Sequence, residues 1–182
     1  FCTVIDDEIL VVHGGISDES DLEVLETLQR QQFVSILRAA QSANGTSATD
    51  CDAAETSNVI NAVWSDPGPL NGCIRNSQRG GGCVWGPDVT DAFLAKYDFR
   101  MIVRAHECCQ EGHRWTHNRK VLTIFSASNY YARGSNLGAY AVFKYGQLDE
   151  PCVSTYDADP GAEEAHVTEQ VGALEKAALK EL

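Results

Sequence analysis

The 182-residue sequence contains no run of 18 apolar residues, and no basic-then-apolar segment stands near its first residue. The first absence argues against a membrane-spanning helix, and the second argues against a secretory signal. The cysteines are odd in number, seven, and their scattered spacing does not resemble a disulfide framework. We therefore expect reduced thiols and a cytoplasmic protein, with the nucleus as a further location.

Basic residues are also scarce, since 14 Lys and Arg stand against 26 Asp and Glu and the net charge is −12. This balance argues against nucleic-acid binding and against attraction to anionic membranes. The charge is uneven, because residues 1–28 contain eight acidic side chains and no Lys or Arg, whereas residues 75–120 contain eight Lys or Arg and five acidic residues. A basic segment in an acidic chain predicts a local anion site.

Nucleotide-binding and calcium-binding motifs are absent as well. Neither Gly-Lys-Ser/Thr nor G-x-G-x-x-G accompanies the glycine-rich stretch at 79–82, so this stretch is not a nucleotide loop. No D-x-D-x-D-G loop occurs, so the chain itself gives no support for calcium control. The sequence begins on Phe1 and runs directly into "VIDDEILVVHGG", from which we expect a piece of a longer protein.

Hydrophobic periodicity and turn residues predict an α/β chain. Residues 18–40 are predicted to be helical in two pieces, another helix ends at Trp64, and Gly86-Pro87 begins a third. The small, polar residues 40–58 predict an exposed loop or insertion, and residues 158–182 predict an acidic amphipathic helical tail or linker. Strands are predicted at 8–13, 100–104, 113–117, 120–126, 138–144 and 150–156.

Polar residues follow three of the predicted strands at the point where each strand ends. They are His13, His106 and the pair Asn129-Tyr130, and strand ends of this kind can converge at one edge of a sheet. Neutral imidazole is a good ligand for Zn, Fe and Mn, although a lone histidine after a strand is more often structural. Arg79 precedes three glycines and could bind a phosphate in bidentate fashion, or it could simply lie in a surface loop.

Five ordered motifs together form a recognisable pattern. They are "VVHGGIS", "VWSDPGPLNG", "RGGGCVWGPDVTDAFL", "IVRAHE" with "EGHRW", and "LTIFSASNYYARGSNLGAYAVF". Over roughly residues 3–157 the sequence resembles the C-terminal half of the metal-dependent phosphoprotein phosphatases that act on Ser/Thr. It is most similar to the branch with C-terminal EF-hands, the retinal-degeneration-C type, and next to the tetratricopeptide-bearing type.

This resemblance implies a partial calcineurin-like metallophosphoesterase fold, a central β-sandwich flanked by helices with the N-terminal half missing. Residues 1–157 would form the C-terminal part of a catalytic domain. His13 and His106 would be ligands of the second of two divalent metal ions, manganese or an iron/zinc pair, and Arg79 and Tyr130 would bind the substrate phosphate. Three further residues would line the substrate groove: Trp64, Asp66 and Asn129.

The implied function is a protein serine/threonine phosphatase that hydrolyses phosphoserine and phosphothreonine by a metal-bound hydroxide. Its partners would be a phosphoprotein substrate and a regulatory protein or calcium-sensing module beyond the tail. The family motifs G-D-x-H-G, G-D-x-V-D-R-G and G-N-H-E do not occur in this sequence. They would supply the remaining metal ligands and the general acid, so we expect the 182 residues alone to be inactive.

Two alternatives remain open. One is a non-catalytic, truncated phosphatase-like fragment that binds partners. The other is a structural zinc-binding module, although its adjacent cysteines do not match the usual C-x2–4-C spacing. Its ligands would be Cys108, Cys109, His113 and His117. Alternation along the predicted strand instead places His113, Trp115 and His117 on one face, open to solvent or lining the groove.

Two positions depart from the family pattern. His113 stands where the family usually has Tyr, and Arg133 occupies a loop position that is often acidic. Both departures concern the choice of substrate rather than the type of reaction.

Overall fold

A computed structural model describes residues 1–33 and 53–158. Most of the predicted loop at 40–58, and all but the first residue of the predicted tail at 158–182, lie outside the described residues. Within the described part of the chain, no helix is both long enough and apolar enough to cross a membrane.

The described residues form an alternation of strands and helices. The strands are β1 (Cys2–Ile5), β2 (Ile9–Val12), β3 (Asp66–Pro67), β4 (Cys73–Arg75), β5 (Cys83–Trp85), β6 (Met101–Arg104), β7 (His113–Thr116), β8 (Val121–Ile124), β9 (Gly138–Lys144) and β10 (Gln147–Tyr156). The helices are α1 (Leu22–Thr27), a 3-10 turn (Arg30–Gln32), α2 (Ala53–Trp64) and α3 (Pro87–Tyr97).

The central sheet has five strands in the order β1-β2-β6-β8-β7. The three inner strands β2, β6 and β8 are parallel, and the edge strands β1 and β7 are antiparallel to their neighbours. Leu10 of β2 pairs in register with Ile102 of β6. Because parallel strands end at the same edge of a sheet, the residues that follow β2 and β6 lie side by side.

Side chains alternate between the two faces of this sheet, and both faces are covered. On one face, Ile9 and Met101 pack in a cluster with Leu148 of β10 and with partly buried residues of β9. On the other face, Leu10 and Ile102 share a cluster with residues of α2, α3 and β5. The result is a β-sandwich whose larger sheet carries helices on its outer face. Full burial of an aliphatic side chain contributes about 1.5–3 kcal/mol, so both clusters hold the layers together.

Helix α3 shows how local sequence sets these elements. Gly86 is the N-cap, Pro87 occupies the first helical position, and Asp88 lies in the first turn near the positive end of the helix. Asp98 ends the helix in the left-handed conformation, with φ of 56°. The helix turns one face to the central sheet and buries Val89, Thr90, Phe93 and Leu94.

The structure corrects several predicted boundaries. Helix α2 begins at Ala53, so the predicted loop at 40–58 is wrong for its last six residues. Asn58 is buried there because its side chain accepts a hydrogen bond from the Asp21 amide (2.7 Å) and donates one to the Ala54 carbonyl (3.0 Å). In the sequence, a buried asparagine whose hydrogen bonds are made by the protein cannot be distinguished from an exposed loop asparagine, and this explains the wrong boundary. The predicted helix over 18–40 is reduced to α1 and the 3-10 turn within the described residues, and β10 begins at Gln147 rather than 150.

We predict that Gly15→Ala destabilises the chain. A Cβ atom at Gly15 would lie 2.1 Å from ring atoms of the fully buried Trp85, so the core would have to shift. Overpacking of this kind lowers the free energy of unfolding by about 1–3 kcal/mol. Urea denaturation followed by circular dichroism measures the loss. Gly81→Ala is the matched control, because its Cβ would meet Ile60 at 3.6 Å, an ordinary contact. Equal losses in both variants would contradict the prediction.

Candidate active site

Two histidines meet at the carboxyl edge of the parallel strands. His13 follows β2, His106 lies two residues after β6, and the Ala105 amide donates a hydrogen bond to the His13 carbonyl at 3.0 Å. The imidazole ring centres are 4.9 Å apart, and His106 Nδ1 lies 3.2 Å from His13 Nε2. The structure therefore brings together the two residues that the sequence nominated as metal ligands.

Backbone conformation and packing fix the His106 ring. Its φ of 64° lies in the left-handed region, which is uncommon for a residue with a Cβ atom and persists only where the surroundings impose it. The indole of Trp64, the last residue of α2, packs edge-on against the imidazole with ring centres 5.5 Å apart. Trp64 thus supports one wall of the site.

Both imidazoles are neutral at neutral pH. Burial, together with the nearby charge of Arg79, lowers the pKa of His106 to about 4. Burial also lowers the pKa of His13, assisted by the charge of Arg104. Neutral imidazole offers a nitrogen lone pair, which is the form that binds metal ions.

The donor geometry fits a shared metal ion. When two imidazole nitrogens bind the same ion, each at about 2.1 Å, they lie on the order of 3 Å from each other. The observed separation between His106 Nδ1 and His13 Nε2 is 3.2 Å. The second ring nitrogen of His106, Nε2, is buried and has no hydrogen-bond partner among the described residues. The described residues contain no group of three or more His, Cys, Asp or Glu that could hold a metal ion. The pair therefore fits one part of a metal site.

Arg79 lies against this pair on the loop between β4 and β5. Its Nε donates to Asp66 Oδ2 at 3.0 Å, and its Nη2 donates to the His106 carbonyl at 3.2 Å. The Arg79 amide donates to the Asn76 side chain at 3.2 Å, which shapes the loop. A guanidinium has five N–H donors, and the remaining ones leave capacity for an anion. The side chain is 32% exposed, so an anion can reach it.

A second arginine, Arg104, is buried beneath the site and connects its parts. The residue is only 1% exposed. Its Nε donates to the Gly14 carbonyl at 2.7 Å, and its Nη2 donates to the Ser65 carbonyl at 3.1 Å and to Asp66 Oδ1 at 2.8 Å. Its Nη1 donates to Glu107 Oε2 at 2.8 Å. These bonds join the segments that follow β2, α2 and β6.

The ion pairs form a chain of five alternating charges: Arg79, Asp66, Arg104, Glu107 and Arg114. Burial acts to raise the pKa of Asp66, but the hydrogen bond from Arg79 and the charge of Arg104 outweigh it, and the net pKa is lowered. Asp66 is therefore ionised at neutral pH and holds both arginines. The predicted groove residue Asp66 acts here by fixing the Arg79 guanidinium.

The loop that follows β8 carries Asn129 and Tyr130. The Tyr130 ring packs edge-on against Phe125 with centres 5.1 Å apart and is 59% exposed. The Asn129 side-chain nitrogen Nδ2 donates to Asp157 Oδ1 at 2.6 Å, which ties the loop to the residue that follows β10. Within the described residues, no hydrogen bond or ring contact joins either side chain to the histidine pair. Their proposed contacts with substrate stay predictions.

The structure corrects the interpretation of His117. Strand β7 ends at Thr116, and His117 is buried rather than open to solvent or groove. Its Nδ1 pairs with the Thr90 hydroxyl at 2.7 Å, and its Nε2 lies 2.8 Å from the Gly68 carbonyl. Because both ring nitrogens are engaged, His117 is not available to a zinc site with Cys108 and Cys109.

Sequence reasoning missed Arg104 and Glu107, although both lie in the quoted motif "IVRAHE". The sequence did contain a signal, because Arg104 ends the continuous apolar strand "MIVR". A charged side chain at such a position is buried only when it has partners, so a paired arginine could have been predicted. The partners themselves could not be read from the sequence, because Gly14 and Ser65 contribute backbone carbonyls.

Comparisons with known proteins agree with this geometry. The model of the calcineurin-like phosphoesterase family matches residues 1–110. The chain is 43% identical over 158 residues to serine/threonine-protein phosphatase with EF-hands 1 of Rattus norvegicus, covering 79% of this chain and 25% of the relative. It is 39% identical over 180 residues to serine/threonine-protein phosphatase rdgC of Drosophila melanogaster, covering 99% of this chain and 26% of the relative.

A solved structure shares the fold. It is a protein serine/threonine phosphatase from Saccharomyces cerevisiae with similarity to human phosphatase PP5, with a TM-score of 0.65 and 26% identity over 89% of this chain and 48% of that chain. The predicted calcineurin-like fold is confirmed. The resemblance first to the EF-hand branch and then to the tetratricopeptide-bearing type, which includes phosphatase 5, is also confirmed. The chain spans about a quarter of the length of the curated relatives it matches.

We predict that Arg104→Gln strongly destabilises the chain. Removing the guanidinium leaves the Asp66 and Glu107 carboxylates without their shared buried partner, which costs about 3–5 kcal/mol of unfolding free energy. Arg114→Gln is the control, because Arg114 pairs with the same Glu107 but its side chain is 46% exposed. Exposed pairs contribute at most about 1 kcal/mol. Urea denaturation measures both variants, and a small effect of Arg104→Gln would refute the role of Arg104 as a connector.

We also predict a pH dependence from His106 in the metal-free chain. Its pKa is about 4 when folded and near the ordinary 6.5 when unfolded, so the unfolded state binds more protons between these values. The stability linked to the neutral ring is present above pH 6.5 and is lost as the pH falls towards 4. Unfolding free energies across this window should fall less steeply in His106→Gln than in wild type. An unchanged slope in His106→Gln would contradict the prediction.

Proposed function

Because this chain belongs to the calcineurin-like phosphoesterase family, we propose that it forms part of the active site of a protein serine/threonine phosphatase. One observation carries the proposal: two neutral histidines face each other at 3.2 Å beside Arg79, whose guanidinium is held by Asp66. Relatives at 43% and 39% identity are named for this activity. Activity is proposed for a protein in which this chain is joined to the family motifs that it lacks.

His13 and His106 would hold one divalent metal ion. Family membership supports divalent ions in general, and manganese or an iron/zinc pair is our more specific proposal. A bound ion would lower the pKa of a water molecule and neutralise negative charge on phosphate. The backbone conformation of His106 and its contact with Trp64 keep the ring in place for this task.

Arg79 would bind the phosphate group of the substrate. A planar guanidinium can donate two parallel hydrogen bonds to phosphate oxygens and stabilise the charge that spreads over them. Asp66 orients this guanidinium from one side, and the His106 carbonyl orients it from another. The half-exposed Tyr130 ring is our candidate for a further contact with the phosphate or the substrate chain.

The partner would be a protein that carries phosphoserine or phosphothreonine. Several relatives are named for EF-hands, and by analogy with them we propose a calcium-sensing module as a regulatory partner.

We predict that Arg79→Lys lowers phosphatase activity by about 10²-fold in kcat/KM, since lysine cannot replace a bidentate guanidinium. The test joins this chain to the N-terminal part of the catalytic domain of the rat relative and measures turnover of p-nitrophenyl phosphate and of a phosphoserine peptide. Arg75→Lys is the matched control, because Arg75 is an exposed arginine in the same hairpin, and its activity should stay near wild type.

The 182-residue chain alone should show no metal-dependent turnover. Turnover by the chain alone that disappeared in His106→Ala would contradict the expected need for the missing motifs. An inactive but folded joined protein would favour the non-catalytic binding fragment instead.

A further inference from the structure

Two cysteines face each other across the hairpin that carries Arg79. Strands β4 and β5 pair antiparallel, with Cys73 opposite Trp85 and Arg75 opposite Cys83. Cys73 and Cys83 are therefore diagonal neighbours, two positions apart in register, and side chains two apart in register share a face. Their Sγ atoms are 2.6 Å apart. This separation is short for two unbonded sulfurs, although it is longer than the 2.05 Å of an S–S bond.

The surroundings of the two thiols differ. Cys83 is buried, and its Sγ lies 3.4 Å from the Ile16 carbonyl and 3.5 Å from the Ser65 hydroxyl. Cys73 is only half-buried, on the edge strand of the three-stranded sheet β3-β5-β4. A reagent from solvent thus meets Cys73 first, while Cys83 stands behind it within bonding reach.

Neither thiol is activated by its environment. Burial raises the pKa of Cys83 far above its ordinary value, and burial also raises that of Cys73. Both groups are therefore mainly protonated at neutral pH, which makes each a slow nucleophile by itself. Proximity compensates for this low reactivity in the second step. Once Cys73 carries a mixed disulfide, the Cys83 sulfur already lies beside it and reacts within the same molecule.

We propose that Cys73 and Cys83 form a reversible disulfide, a modification site whose oxidant is a small-molecule disulfide of the glutathione type. The Cys73 thiolate attacks one sulfur of the oxidant, forming a mixed disulfide and releasing one thiol. The Cys83 thiolate then attacks the Cys73 sulfur, forming the protein S–S bond and releasing the second thiol. The two protein thiols lose two electrons and two protons, and the oxidant gains both and becomes two thiols.

The bond would close a ring that contains Arg79. The loop is already folded back on itself, since the Asn76 amide donates to the Gly82 carbonyl at 3.1 Å and the Gly80 amide donates to the Asn76 carbonyl at 3.1 Å. The Cys83 amide also donates to the Ser65 hydroxyl at 3.0 Å, next to Asp66. A covalent link at the base of this loop would restrict its opening. This inference goes beyond the proposed function and does not depend on it.

The test treats the folded 182-residue chain with glutathione disulfide and digests it with trypsin and a Glu-specific protease after thiol alkylation. The digest yields peptides 56–75 and 80–96, each with one cysteine. We expect them to appear joined, with the mass of two hydrogens lost and with separation after dithiothreitol. We also expect slower amide hydrogen exchange at residues 76–82 in the oxidised chain.

Two variants sharpen the result. Cys73→Ser should abolish the joined peptide, whereas Cys152→Ser should leave it unchanged, because Cys152 lies on β10 in a different sheet. In wild type the exposed Cys152 should form a glutathione adduct, which shows that the reagent is active. An adduct on Cys152 without any joined peptide would overturn the proposed disulfide. Unchanged exchange at 76–82 after the link has formed would overturn its effect on the Arg79 loop.

Discussion

The buried guanidinium of Arg104 is the interaction on which the site depends. A charge with almost no exposure is tolerated only when its donors are satisfied, and here they bind two backbone carbonyls and two carboxylates. Each acceptor comes from a segment that carries or supports a site residue: Gly14 follows His13, and Glu107 follows His106. Arg104 therefore acts as a common reference point for segments that are distant in the sequence.

Electrostatics and geometry reinforce each other around this point. Burial, reinforced by the charges of the two nearby arginines, disfavours imidazolium and keeps the rings neutral. The same positive charge favours an anion beside Arg79. The Asp66 carboxylate offsets the repulsion between the two guanidinium groups, because Arg79 donates to its Oδ2 and Arg104 donates to its Oδ1. A site that prefers neutral imidazole and an anionic ligand thus follows from one buried network.

The sequence predicted the strands, the helices and the proximity of His13 and His106 better than it predicted the contacts between distant residues. Strong apolar runs placed the sheet strands, and Pro87 placed the start of α3, because both signals are local. His13 and His106 could be paired in advance because parallel strands end at one edge. The buried position of Asn58 could not be read, since its burial depends on a hydrogen bond to Asp21, which is distant in the sequence. The role of Arg104 as a connector could not be read either, because two of its partners are backbone carbonyls, which have no sequence signature.

The register between β2 and β6 has a consequence for the histidine pair. Slipping one strand by a single residue would move its end by about 3.3 Å and turn its side chains to the opposite face. That displacement is as large as the 3.2 Å between the two imidazole nitrogens. The nitrogens can therefore face each other only when the strands are aligned correctly. A ligand that needs both rings therefore binds only the chain with the correct strand register, and its binding would stabilise that state over misaligned ones.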